Sequence, residues 1–131
     1  MLTGIRLAPD GTMEKVWLTD SQDEGRRGAW MREHIGCTFY DVIRLPEGID
    51  CWVDDEFLFN PDTNPDLTRI LHRHQPCGPV GGAGLFLGVN EATGETVSLT
   101  LDQEVTVITW WRTVTQQGNN PEALRARMVR L

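Results

Sequence analysis

The sequence predicts an α+β fold: a mainly antiparallel sheet, made of an N-terminal hairpin plus a meander, with two or three short helices and a C-terminal amphipathic helix. Three observations carry this. Two apolar runs flank an Asp10-Gly11 step, a strong short-range hairpin signal. Strand-like and helix-like segments segregate along the chain rather than alternating, which disfavours a parallel βαβ arrangement. Asn64-Pro65 and Asn120-Pro121 each put a capping side chain and a first-turn proline before apolar residues at helical spacing.

Taken in order, "LTGIRL" and "EKVWL" are two strands joined through "APDGT". "TDSQDEGRRGAWMREHIG" follows as a helix. Asp20 or Ser21 can cap it, acidic residues sit in its first turn, Trp30, Met31 and Ile35 form its stripe, and Gly36 stops it. "CTFYDVIRLP" alternates as a strand through Phe39, Val42, Ile43 and Leu45. A turn leads to a second strand through Ile49, Cys51 and Val53, then an acidic turn at Asp54-Asp55-Glu56, then Phe57 to Phe59. This section reads as meander with one face buried and one wet.

Asn64 and Pro65 start a short helix with Leu67, Ile70 and Leu71 on one face, ended by Pro76, Gly78 and Pro79. "AGLFLGVN" reads as a buried strand, "EATGE" as a turn and "TVSL" as another strand. Residues 101–117 open with Thr100 and Gln103 at capping-box spacing, which predicts a helix with Leu101, Val105, Ile108 and Arg112 on one face. The β-branched residues there pull toward strand instead. "GNNPEALRARMVRL" predicts the terminal helix, with Leu124, Met128 and Leu131 as a stripe beside arginine-rich positions. Residues 1–117 thus read as one α+β domain and 118–131 as a helical tail.

A chain of 131 residues suffices for one cored domain, and 40% apolar with 24% charged residues is a globular composition. No apolar run reaches the roughly 18 residues of a membrane span. The N-terminus lacks a basic stretch followed by an apolar one, and the three cysteines Cys37, Cys51 and Cys77 are an odd set. A cytoplasmic protein with reduced thiols is the expectation. Eleven arginines stand against one lysine, a bias of the kind a GC-rich coding genome produces. The net charge of −7 argues against direct nucleic-acid binding, which needs a basic surface, and leaves open that the protein imitates DNA.

The order "FYDVIRLPEGIDCWVDDEFLF", "NPDTNPDLTRIL", "GPVGGAGLFLGVNEATGETVSLT" resembles a family of small proteins of unknown function found mainly in bacteriophages, plasmids and their actinobacterial hosts. The likeness spans roughly residues 35–100. It implies a mobile-genetic-element context and carries no activity or functional residue across.

The stretch "LHRHQPCGPVGGAGLFLG" concentrates the chemistry-bearing residues. His72, His74 and Cys77 are the candidate zinc ligands, and a Cys77–His pair is the candidate nucleophile. On a helix His72 and His74 point about 200° apart, so sharing an ion requires the helix to have unwound. The alternative is imidazoles near a helix C-terminus, favoured by its dipole. The glycines lack the Lys-Ser/Thr ending of a P-loop and precede a strand rather than a helix, so they are expected to shape backbone. No cofactor is expected.

Of five tryptophans, Trp110 and Trp111 are adjacent and must point to different faces, one toward the core. The leading expectation is a non-enzymatic protein that binds a partner or forms a homodimer through Trp110, Trp111, Leu124, Met128 and Leu131. The alternatives are an inhibitor of host defence, acting as an acidic mimic or by holding a nucleotide signal against Arg44, Arg69 and Arg73, and a small zinc protein or enzyme centred on His72, His74 and Cys77.

Overall fold

A computed structural model describes residues 1–19 and 22–116. Strands β1 (Leu2–Leu7) and β2 (Met13–Leu18) pair in register from Leu2–Leu18 to Leu7–Met13 about the Asp10-Gly11 turn, where Asp10 Oδ1 accepts from Thr12 N at 2.9 Å. Helix α1 (Glu24–Ile35) is capped by Asp23, whose side chain accepts from Arg26 N; the expected caps Asp20 and Ser21 lie outside the described residues. It ends at Gly36 in the left-handed region (φ 78°), where a β-carbon would be strained.

Strands β3 (Tyr40–Leu45) and β4 (Ile49–Asp54) form a second hairpin. Helix α2 (Pro65–His72) starts as expected, with Asn64 Oδ1 accepting from Leu67 N and Pro65 in the first turn. Strand β5 (Gly84–Val89) then inserts between the two hairpins, giving the order β2-β1-β5-β4-β3, and β6 (Thr96–Val97) pairs with the end of β5. Every pairing is antiparallel. Several strand expectations need correction: Phe39 lies in a bend ahead of β3, and Asp54 ends β4 rather than opening the turn. Phe57 to Phe59 lie in turns, and "TVSL" supplies only a two-residue strand.

The sheet has no fully wet face at its centre. All six residues of β5 are buried: Phe86 joins the core under α2 and α3, while its neighbours Leu85 and Leu87 join the one under α1. Successive strand residues point to opposite faces, so a continuous apolar run requires cover on both sides. One core gathers Ile5, Leu7, Met13, Ile49, Cys51, Val53, Leu67, Ile70, Leu71, Val107, Trp111 and Val114. The other gathers Leu2, Val16, Trp30, Met31 and Ile35.

Helix α3 (Leu101–Gln116) resolves the conflict between capping box and β-branching in favour of helix. Thr100 N donates to Gln103 Oε1 at 2.9 Å, and Gln103 N donates to Thr100 Oγ1 at 3.1 Å. Thr106, Thr109, Thr113 and Thr115 each turn the hydroxyl back to a carbonyl four residues earlier, satisfying the polar atom within the helix. The buried face is Glu104, Val107, Trp111, Val114 and Thr115, not the expected Leu101, Val105, Ile108 and Arg112. Leu101 and Val105 are 75% and 55% exposed.

On β4, Ile49, Cys51 and Val53 face α2 and α3, so Asp50 points to the α1 side. It is 2% exposed, with Arg44 Nε 3.9 Å from Oδ1 and no hydrogen bond to that oxygen among the described residues. Burial pushes this carboxyl above its ordinary range, Arg44 pulls it back in part, and Glu91 adds to the rise. With its folded pKa above the unfolded one, the native state holds the proton more tightly. The carboxylate therefore costs stability at neutral pH, and the cost fades as pH falls through the raised value. Asp50→Asn is expected to raise the melting temperature at neutral pH, with the gain shrinking on acidification. A gain of equal size at both ends of the pH range would contradict this account.

Candidate binding surface

The glycine run is occupied by the fold. Gly81 N donates to Phe57 O and Gly82 N to Asp62 O, each at 2.8 Å, so these amides are not turned to an anion. A β-carbon at Gly81 would collide with the Asn60 backbone. That close approach lets the segment after β4 cross the entry to β5, sealed by a bridge between Thr63 and Gly81. These contacts give the glycines the backbone-shaping role expected of them.

His72, His74 and Cys77 are near one another without converging. His72 Nδ1 accepts from Cys77 N at 3.4 Å, while His74 turns away and packs on Trp110, ring centroids 4.7 Å apart. Burial and, secondarily, Arg73 push the His74 imidazole down, and burial pushes the Cys77 thiol up. A neutral imidazole beside a protonated thiol is the reverse of an activated pair. Among the described residues, no group of three or more His, Cys, Asp or Glu side chains could hold a metal ion.

The three arginines do not form one pocket. Arg69 and Arg73 line a hollow of about 280 Å³ beside α2 with Thr68, His72 and Val114, and Arg69 pairs with Asp66 at 3.6 Å. Arg44 is next to Leu45, which faces α2 and α3, so Arg44 projects from the opposite face of the sheet. Of the two tryptophans, Trp111 is fully buried and offers a partner no surface; Trp110 is half-buried against His74. Leu124, Met128 and Leu131 lie outside the described residues.

The exposed apolar side chains point to another place. At the end of the sheet where β3 begins and β4 finishes, Asp55 N donates to Phe39 O at 2.9 Å and joins two loops. Asp54 fixes the second loop: Oδ1 accepts from Glu56 N at 2.9 Å and Oδ2 from Asn60 Nδ2 at 3.0 Å. Phe57 turns inward to the core. Phe39, Leu58 and Phe59 remain 72%, 55% and 84% exposed. Between the loops is a cleft of about 380 Å³ lined by Cys37, Thr38, Phe39, Asp54, Asp55 and Glu56. Among the described residues its charged lining is carboxylate alone. The Cys37 thiol is pushed up by burial and by Asp54, against a smaller opposing pull from Arg32, so it stays protonated and is no nucleophile.

The alternation rule hid this surface. "DDEFLFN" reads as an acidic turn followed by a short apolar strand, and only the turn-forming bonds of Asp54 and Asn60 decide which phenylalanine enters the core. Two phenylalanines and a leucine held outward on two bonded loops, near three carboxylates, can accept an apolar segment carrying positive charge.

Among the described residues no helix is long and apolar enough to cross a membrane. A family model described as a domain of unknown function (DUF3846) matches residues 2–112. No curated protein and no solved structure matches the chain.

Proposed function

We propose, from the premise that the chain belongs to the DUF3846 family of domains of unknown function, that it acts without catalysis, by binding a protein partner at the acidic end of its sheet. The partner is a segment that combines apolar side chains with arginine or lysine. The observation carrying this reading is the outward Phe39 on a cleft whose charges among the described residues are Asp54, Asp55 and Glu56, with Phe59 exposed further along the loop that carries those carboxylates. Aromatic side chains already held in the open give contact area at little ordering cost, and the carboxylates select for cationic partners and speed encounter. The protonated Cys37 and Cys77 thiols and the neutral His74 support a non-enzymatic role. Free thiols at all three cysteines support a cytoplasmic setting, and the resemblance over residues 35–100 supports a mobile genetic element.

Selection of 12-residue peptides from a random library against the intact protein tests the reading. Selected peptides are expected to be rich in arginine, lysine, leucine and tryptophan. They should bind at least about tenfold more weakly to the Phe39→Ala/Phe59→Ala protein, the loss of roughly 1.4 kcal/mol typical of one good anchor. Their affinity should also fall with added salt. Acidic selected peptides, or binding indifferent to the phenylalanine substitutions, would remove this surface from consideration.

A further inference from the structure

The edge of the sheet far from the acidic cleft is open. Strand β2 pairs one-for-one with β1, contains no proline or bulge, and has no described strand on its other side. Its neighbours fix which of its backbone groups face out. Thr3 N donates to Ser98 Oγ at 2.9 Å and Thr3 O accepts from Leu99 N at 3.1 Å, so Thr3 directs its backbone groups away from Trp17, its cross-strand partner. At the other end of the hairpin Ala8 N donates to Thr12 O at 2.8 Å. By antiparallel alternation Met13, Lys15 and Trp17 therefore turn N–H and C=O outward, where no described strand meets them. The opposite edge is blunted. There the bond from Asp55 N to Phe39 O sets the alternation, and Asp41 Oδ1 occupies the outward Val42 N–H at 2.8 Å.

The side chains agree with the backbone. Lys15 and Trp17 lie on the sheet face of Met13, the one that carries α3. A lysine in an edge strand ordinarily wards off another strand. Here Lys15 Nζ is drawn back to Glu104 Oε1 at 2.9 Å, and Trp17 beside it is 59% exposed. On α3, Gln103 Nε2 reaches inward over the sheet to Glu47 O and Gly48 O, at 2.9 and 3.1 Å, while Glu104 meets β2. Continuing around the helix in that sense come Ile108, Leu101 and Val105, which therefore overhang the open edge. Leu101 and Val105 are 75% and 55% exposed.

We propose that β2 pairs antiparallel with β2 of a second copy of the chain, about a two-fold axis at Val16, joining two sheets into one. The edge is self-complementary in this register. Outward residues must face outward residues, so the axis falls at Lys15, Val16 or Trp17. At Lys15 it sets lysine against lysine. At Trp17 it pairs only residues 16–18 of the strand, against 14–18 for Val16. At Val16 each Lys15 lies opposite the other copy's Trp17, with paired backbone bonds and an indole against a cation at two symmetric places. The axis stands normal to the sheet, so both α3 helices stay on one face and turn their Leu101, Val105 and Ile108 flanks toward each other. One contact thus covers the open strand, the indole and the helix flank.

Sedimentation and light scattering of the full-length protein test the pairing. The wild type should show twice the chain mass and dissociate on dilution. Trp17→Lys sets lysine against Lys15 at both places. It should raise the dissociation constant at least about a hundredfold, roughly tenfold for each anchor lost. Val16→Cys checks the register: cysteines opposed in a non-hydrogen-bonded pair are close enough for a disulfide. Mild oxidation should then give a reducible two-chain product that the wild type does not give. A single-chain mass for the wild type at every concentration would overturn the pairing, as would a dimer indifferent to Trp17→Lys. Cross-linking through Leu18→Cys but not Val16→Cys would overturn the register. Phe39→Ala/Phe59→Ala should leave the mass unchanged, so this result and the peptide selection fail independently.

Discussion

Asn64→Asp is expected to destabilise the protein severely at neutral pH and less so in acid. Asn64 is fully buried and does three things at once. Its Oδ1 caps α2 through Leu67 N at 3.1 Å, while Nδ2 donates to Leu7 O at 3.1 Å and to Gly82 O at 2.9 Å. One amide therefore ties the end of β1, the entry to β5 and the start of α2 together. Aspartate keeps the capping acceptor but faces two buried carbonyl oxygens with a third oxygen. Each orphaned buried group costs about 1–3 kcal/mol, so a total near 3 kcal/mol or more is expected before charge repulsion is added. For a chain of this size that is a drop on the order of 10 °C in melting temperature. Because burial and the facing carbonyls favour the protonated acid, the introduced carboxyl would have a folded pKa above its unfolded one. The penalty is then largest above that raised value and shrinks as pH falls through it, when the acid can donate to one carbonyl. Asn64→Ala loses both donor bonds and the cap but introduces no charge beside the buried carbonyls, so its loss should be smaller at neutral pH and independent of pH in this range. Thermal melts of both variants at neutral and acidic pH decide the matter. An aspartate variant no worse than the alanine one would show that the donor pattern is not what matters.

The same residue shows how far the sequence could be read. Asn64 and Pro65 announced a helix start, and the cap is there. Its two donor bonds were invisible, because they join positions 57 and 18 residues away. Local signals behaved alike elsewhere. The Asp10-Gly11 hairpin and the Thr100–Gln103 box depend on neighbours in sequence, and both formed. Strand order did not follow from local pattern: β5 separates the two hairpins and buries both its faces, and this needed a second helix layer to be known. Side-chain direction was the weakest point. On α3 an apolar line through Leu101 and Val105 looked like the core face, while the packed line includes Glu104, which stays tolerable because Lys15 meets it at 2.9 Å. The candidate surface followed the same rule. Phe39 and Phe59 are apolar residues in apolar runs, and they stay outward on loops whose backbone is held by bonds of Asp54, Asp55 and Asn60.

Trp111→Ala is expected to be the most damaging of the aromatic truncations and Trp110→Ala one of the mildest, although the residues are adjacent. Trp111 has no exposed surface and lies in the main core with Val107, Val114, Leu67 and Ile70. Removing it leaves a cavity that the surrounding strands cannot collapse to fill, and such changes cost about 3–5 kcal/mol. Its indole Nε1 has no hydrogen-bond partner among the described residues. Trp111→Phe therefore discards an unsatisfied donor along with part of the ring, and should recover much of the loss. Trp110 is half-buried, and its main identifiable contact is the His74 ring. Losing an aromatic pair of this kind costs about 0.5–1.5 kcal/mol beyond the area involved. The pair also differs in pH response. Burial holds the His74 pKa below its ordinary value of 6.5, so the native state favours the neutral ring. Stability from this term is present above that ordinary value and is lost as pH falls through it toward the lowered one. Trp110→Ala opens His74 to water and should flatten this acid-side loss, whereas Trp111→Phe should leave it in place. Melting temperatures of the two variants on either side of pH 6.5 separate a core role from a cover over His74. Identical acid-side slopes would mean that Trp110 does not provide that cover.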